Sequence, residues 1–254
     1  MTFKTFLTGA LALSMVPVAA GSASPDYQGA AEVSRRGLPP LDYDASLWNF
    51  DARWFTSEWN NSFSQLPWRY DHVTRRGGDL VLRLDSSGSA QIMTGSGTKP
   101  HNAGLWEADV TLAPYRSGVV QAPLWLYNGS TKDEIDFEFA GENGLFITMH
   151  TYTGGYKRHG VRLQNVQTGV RHRFGIKMDQ AAGYVEMYVD GKMVHRFDKK
   201  TSPGFVSSPM NPIFELWAVH PNRQDFVEWV GRFGGISGGD KMEMTLHGHR
   251  YTAL

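Results

Sequence analysis

The sequence predicts an all-β fold, an antiparallel β-sandwich. Three observations carry that prediction. Many short segments alternate apolar and polar residues, the period of a strand with one buried face. Glycine is abundant, 28 of 254 residues, and much of it falls between those segments, where the chain must turn. No long segment after the first twenty or so residues has the apolar spacing of an amphipathic helix. Short strands joined by Gly-rich turns, with few helices, bury their apolar faces as two packed sheets.

The bulk properties narrow the function. A chain of 254 residues suffices for one large β domain with its own core. Lys plus Arg and Asp plus Glu are 25 each, so the zero net charge argues against a nucleic-acid or anionic-membrane binder. Cysteine is absent, which excludes disulfides, thiol catalysis and Cys-ligated metals. No cofactor is expected: there is no Walker loop, Gly-x-Ser-x-Gly elbow or dinucleotide fingerprint.

Residues 1–23 read as a secretory signal: Lys4, then an apolar run from Phe6 to Ala20, with cleavage after Ala20 or Ala23. A membrane anchor is the rival reading, but the run is short for a bilayer span of about 20 residues. The expectation is a secreted or periplasmic protein, without stable membrane association after cleavage and monomeric. Residues 24–44, with Arg35-Arg36 and Pro39-Pro40, lack a sustained period and read as a mobile leader. The folded domain is expected over 45–254.

Leu47 to Tyr70 is rich in large aromatics, among them Trp48, Phe50, Trp54, Trp59, Phe63 and Trp68. Core or edge-sealing positions are the usual fate of such residues. Gly77-Gly78 turns the chain into Asp79 to Asp85, with Leu80, Leu82 and Leu84 on one face. Gly104 to Leu112 alternates, and Val119 to Tyr127 is a more continuously apolar strand. Gly144 to Tyr152 and Arg171 to Met178 read as further strands. Tyr184 to Val189 and Lys192 to Phe197 flank Asp190-Gly191, a strong hairpin signal. Pro212 to Val219 and Lys241 to Tyr251 complete the strands, with a loop expected over Asp225 to Gly231. In the last strand His247 and His249 share a face by strand spacing. With no third ligand evident, a surface strand end is expected there rather than a metal site.

The segment most informative about chemistry is Asp133-Glu134-Ile135-Asp136-Phe137-Glu138-Phe139-Ala140-Gly141. As a strand it puts Glu134, Asp136 and Glu138 on one face and Ile135, Phe137 and Phe139 on the other. A row of like charges is unfavourable unless something uses or shields it. Acids are also poor strand formers, which argues against a chance surface strand. Glycoside hydrolysis is one use, because it needs two carboxyl groups with separated pKa values. At a rise of about 3.3 Å per residue, Glu134 and Glu138 have Cα atoms roughly 13 Å apart, a gap inward-leaning side chains would largely close.

Glu134-Ile-Asp-Phe-Glu-Phe-Ala-Gly141 resembles the active-site strand of glycoside hydrolase family 16. That family includes lichenases, laminarinases, xyloglucan endotransglycosylases and endoglycanases of exopolysaccharide gene clusters. Having no extra residue between Asp136 and Glu138, the motif is similar to the lichenase and transglycosylase branch. The similarity runs from about Trp48 to Tyr251.

The resemblance implies a curved jelly roll whose concave sheet forms a glycan-binding cleft. It makes Glu134 the nucleophile, Glu138 the acid/base and Asp136 the residue that tunes them. It implies substrate contacts at Asn60, Trp125, His150, Glu215 and Trp217, with Trp59 a weaker match. For Trp125, core packing remains an alternative; for His150, a structural role does. The polymer would be a β-linked glucan or bacterial exopolysaccharide. Transglycosylation with the same residues, or a non-catalytic carbohydrate-binding jelly roll, stay open as alternatives.

The sequence departs from the lichenase pattern at four cleft positions. Gln91 and Met93 stand where a Glu and an Arg are usual, Lys132 where Trp is usual, and Glu215 where Asn is usual. These departures point to a substituted or unusual polymer. Thr245 replaces an Asp that in relatives helps hold a structural calcium, so no metal ligands are assigned.

Overall fold

The computed structural model describes Leu41, residues 53–95 and residues 97–254. The expected signal segment, most of the expected leader, and Trp48 and Phe50 lie outside the described residues. Leu41, within the stretch read as leader, is buried and lies beside Gly248, where the missing side chain leaves it room.

Fourteen strands are described: β1 (Trp54–Thr56), β2 (Val73–Arg76), β3 (Asp79–Leu84), β4 (Ala90–Thr94), β5 (Ala103–Thr111), β6 (Val119–Tyr127) and β7 (Glu134–Ala140) in the first half of the chain. β8 (Leu145–Thr151), β9 (Lys157–Leu163), β10 (Arg171–Asp179), β11 (Tyr184–Val189), β12 (Lys192–Asp198), β13 (Asn211–Ala218) and β14 (Met242–Thr252) follow. They form two seven-stranded antiparallel sheets, ordered β1-β4-β13-β6-β7-β8-β9 and β12-β11-β10-β5-β14-β3-β2. This is the predicted all-β sandwich of jelly-roll type. β7 lies deep in the first sheet, paired to β6 and β8.

The core between the sheets comes from one face of each strand. From β7 it takes Ile135, Phe137 and Phe139; from the other sheet Leu80, Leu82, Leu84, Phe174 and Ile176. Phe174 packs on both Phe137 and Phe139, at 5.2 and 5.9 Å between ring centres. Fully burying side chains of this size stabilises by about 1.5–3 kcal/mol each. The apolar half of β7 is therefore a strong anchor for its acidic half. The β11–β12 hairpin forms at Asp190-Gly191, and both residues have positive φ, 52° and 77°. That backbone matches the strand twist and suits an Asp-Gly pair.

β6 explains why its sequence looks continuously apolar. Its pairing with β7 shifts by one residue between Gln121 and Leu124, and its pairing with β13 shifts in the same place. The bulge holds Pro123, which has no N–H for a ladder and is tolerated at such a site. Before it, even-numbered Val120 and Ala122 face away from the main core. After it, even-numbered Leu124 and Leu126 face into that core while Trp125 faces out.

A second bulge corrects an expectation. β14 slips against β5 between Leu246 and Gly248. His247 and His249 consequently do not share a face, and His249 is not at the surface. His249 is buried with its ring edge-on to Trp54 and Phe214, each 5.6 Å away. His247 is partly exposed, with Nε2 2.7 Å from the Thr111 hydroxyl and Nδ1 3.0 Å from Asp79. Thr245, also on β14, pairs with Val81 of β3 and Thr111 of β5.

The stretch expected as a loop near Asp225 contains a helix, α1 (Gln224–Val230). Phe226 and Val230, four apart, share one face. They join Trp68, Val120, Ala140, Trp217 and Val219 in a second apolar cluster. This cluster lies on the acidic side of the first sheet. Gly141 ends β7 with φ 54°, and a Cβ there would lie 1.9 Å from the Val230 carbonyl oxygen. Only glycine allows helix and strand to approach this closely.

Candidate active site

Alternation on β7 delivers Glu134, Asp136 and Glu138 to the face away from the core. Glu134 and Asp136 are buried, and Glu138 is partly exposed. Glu134 and Glu138 line a cleft with Trp125, His150, Arg158 and Glu215. Trp217, Trp229, Phe63, Phe226 and Ala122 complete its wall.

Electrostatics follow from this placement. Burial, then the charge of Glu138, raises the Glu134 carboxyl to about 8. Burial, then the charge of Glu134, raises Asp136 well above the usual range. Glu138 is also raised well above it, by burial and then by Asp136 and Glu215, against an opposing pull from Arg158. The three carboxyls resist ionising together. All three are pushed toward the acid form, whereas nucleophile-plus-acid chemistry needs one carboxylate beside one carboxylic acid.

His150 lies on β8 directly opposite Glu134. Its Nε2 is 3.5 Å from Asp136 Oδ2 and 3.8 Å from Glu134 Oε1. Nδ1 shares a 2.9 Å hydrogen bond with the Tyr156 hydroxyl. Burial, then the charge of Arg158, lowers His150 to about 3, so the ring is neutral at ordinary pH. Burial also keeps Tyr156 protonated. In the tautomer in which Tyr156 donates to Nδ1, the proton of the neutral ring sits on Nε2 and faces Asp136. Both Asp136 oxygens are buried without a hydrogen bond of good geometry, although Thr148 stands directly across the ladder.

Glu134, Asp136 and His150 also form a set with metal-ligand spacing, their ligand atoms lying within 4.8 Å of one another. A divalent ion there would have to displace protons from raised carboxyls.

Glu215 on β13 is paired with Gln91 on β4. Ser57 Oγ donates to Gln91 Oε1, and Gln91 Nε2 donates to Glu215 Oε1. Two departures from the lichenase pattern are thus one arrangement: the acid and the amide have exchanged strands. Burial raises Glu215 to about 7, and the Gln91 hydrogen bond opposes the rise.

Of the residues expected to touch substrate, Trp125, His150, Glu215 and Trp217 come together in the cleft with the three acids. Asn60 is exposed and does not line it. Trp59 is also exposed, its ring tilted on Phe55. Lys132 precedes the acidic strand with φ 66° and its Nζ 5.8 Å from the Tyr127 ring centre. The sequence marks Phe63 only as one of the aromatics between Leu47 and Tyr70, and gives no site signal for Tyr156 or Arg158. Arg158 stands in register with His150 on the next strand, a relation visible only once β8 and β9 are paired. Trp217 packs edge-on between Phe63 and Phe226, at 4.9 and 5.7 Å. The indole N–H groups of Trp125, Trp217 and Trp229 are buried without a partner, three donors beside a cleft. Sugar rings suit such walls, offering C–H faces to stack and hydroxyls to accept.

Known proteins are similar to this chain in sequence and in fold. The chain is 24% identical over 221 residues to a beta-glucanase of Bacillus licheniformis, covering 84% of each sequence. Its fold superposes with a TM-score of 0.65 on a prokaryotic beta-1,3-1,4-glucanase (lichenase) from a mouse hindgut metagenome, at 18% identity, covering 84% of this chain and 96% of that one. A Bacillus licheniformis beta-glucanase structure gives a TM-score of 0.65 at 21% identity, covering 85% and 96%. The profile for glycosyl hydrolases family 16 matches residues 60–232, a span that holds the acidic strand, the cleft residues and twelve of the fourteen strands, and the chain belongs to that family.

Proposed function

We propose that the protein is an exported, retaining endo-β-glycanase that cleaves a β-linked glucan or a bacterial exopolysaccharide. The observation that carries the reading is the row Glu134, Asp136, Glu138 on the cleft face of β7. Glu134 attacks the anomeric carbon and forms a glycosyl-enzyme. Glu138 protonates the departing oxygen and then takes a proton from water. Asp136, between them, adjusts their proton affinities. Export is supported by Lys4 and the Phe6 to Ala20 run; a mature chain retaining Met1 and that run would contradict it.

The preference for an unusual polymer rests on the exchanged Gln91–Glu215 pair and on Lys132. A site built to hydrogen-bond one pattern of hydroxyls discriminates against another. Unsubstituted mixed-linkage glucan is therefore expected to be a poorer substrate than a substituted polymer. Sizing the products from a panel of β-glucans and bacterial exopolysaccharides tests this; equal or better cleavage of the plain glucan would refute it.

Azide tests the mechanism. Added to Glu138→Ala with an activated aryl β-glycoside, it should give a β-glycosyl azide. Added to Glu134→Ala, it should give the α-azide. The reverse assignment of products would exchange the two roles.

A further inference from the structure

Arg158 is the one cation among the described residues that line the cleft. It lies on β9 opposite His150, which in turn lies opposite Glu134 on β7. With strands about 4.8 Å apart, its backbone is roughly 10 Å from that of Glu134, within reach of a neighbouring sugar. Its guanidinium makes no hydrogen bond or ion pair with any described residue, and its Nε is buried without a partner.

Other arginines behave differently. Arg173 grips Asp109 at 2.7 Å, Arg76 holds Glu243 at 2.8 Å, and Arg250 holds Glu107 at 2.5 Å. Arg158 has Asp136 and Glu138 within electrostatic range, yet bonds neither. Were its role only to neutralise the acids, a direct pair would serve better. A planar fork of N–H donors, left unengaged in a cleft that already holds several carboxyls, matches an oxyanion from outside.

We propose that Arg158 binds an anionic group of the substrate, so that the polymer carries a charged sugar or a charged substituent next to the cleaved bond. This rests on the glycanase reading of the same cleft. A uronate carboxylate, a carboxylated ester and a sulfate share the required chemistry.

Barley-type mixed-linkage glucan in four forms separates these sources: untreated, C6-oxidised to uronate, succinylated, and sulfated. Binding is measured by calorimetry with the full-length Glu134→Gln variant, which should leave the probes intact. At least one charged form should bind about tenfold or more tighter than the untreated glucan, the range of a charge-assisted hydrogen bond. The form preferred identifies the source. Adding Arg158→Gln should erase the preference, whereas Arg158→Lys should keep part of it, because charge remains and the fork is lost.

Equal binding of all four forms, binding of none, or a preference that survives Arg158→Gln would overturn the proposal. Cleavage by the wild-type enzyme is scored separately on the same four polymers. If none is cleaved while the Arg158-dependent preference persists, the anion site stands on these polymers and the hydrolase reading loses its support.

Discussion

Glu215→Gln is the substitution that most directly tests the electrostatics of the cleft. Burial raises this carboxyl from 4.5 to about 7. Between those values the folded chain holds a proton that the unfolded chain has released. The unfolded state then binds fewer protons, so this group's contribution to stability falls as pH rises through the window. A gap of about 2.5 pH units, at about 1.4 kcal/mol each, gives a penalty of roughly 3 kcal/mol at pH 8 relative to pH 4. Glutamine has nearly the same shape, can still accept from Gln91, and carries no such penalty. The variant should therefore gain roughly 3 kcal/mol on the wild type between pH 4 and pH 8. Removing a negative neighbour also lowers the proton affinity of Glu134 and Glu138, which adds to the gain in the same direction. Urea unfolding midpoints with their slopes, measured at several pH values for both proteins, give the difference directly. Stability curves that stay parallel from pH 4 to pH 8 would refute the argument, as would a wild type that gains on the variant.

Glu134→Gln should nearly abolish turnover of every glycan, while Glu138→Gln should lose far more kcat/KM on a polymer than on glycosylation by an aryl glycoside with a good leaving group. Equal losses of Glu138→Gln on both substrates would remove it as the acid. Asp136→Asn should retain more activity than either. It also removes a charge that raises Glu138, so the alkaline limb of the kcat/KM profile should move to lower pH; an unmoved limb would contradict the tuning role. Gly141→Ala should cost about 2 kcal/mol or more from strain at positive φ and collision with the Val230 carbonyl, lowering Tm by roughly 4–8 °C in a calorimetric scan.

The strands were legible because most obey a constant period of two. β7 is the clearest case: its acids and its phenylalanines separate onto two faces by counting alone. What counting misses is a change of phase. The bulge at Pro123 makes β6 look apolar on both sides, and the bulge at His247 sends two histidines to opposite faces. Alternation carries no mark of either, because an extra residue changes pairing without changing composition. The short helix α1 leaves little mark in the sequence, because seven residues offer one pair of four-spaced apolar positions, Phe226 and Val230. The chemistry of Gln91 and Glu215 was hidden for another reason. Each was visible as a departure, but their hydrogen bond joins residues 124 apart in sequence. Such a pair emerges only from the order of β4 and β13 in the sheet.

The extra residue in β6 makes that strand behave like a message read in two frames. Upstream of Pro123 one parity addresses the interior; downstream the other does. Exchanging one apolar residue for another leaves both frames intact, so the strand tolerates changes of content. Removing one residue at the bulge would leave a single residue opposite Glu138, so that the two frames merge into one regular ladder in which Leu124 still opposes Phe137 and Trp125 still faces the cleft. What the extra residue supplies to this wall is a local bend and twist beside Glu138, not the choice of which downstream side chains face the cleft.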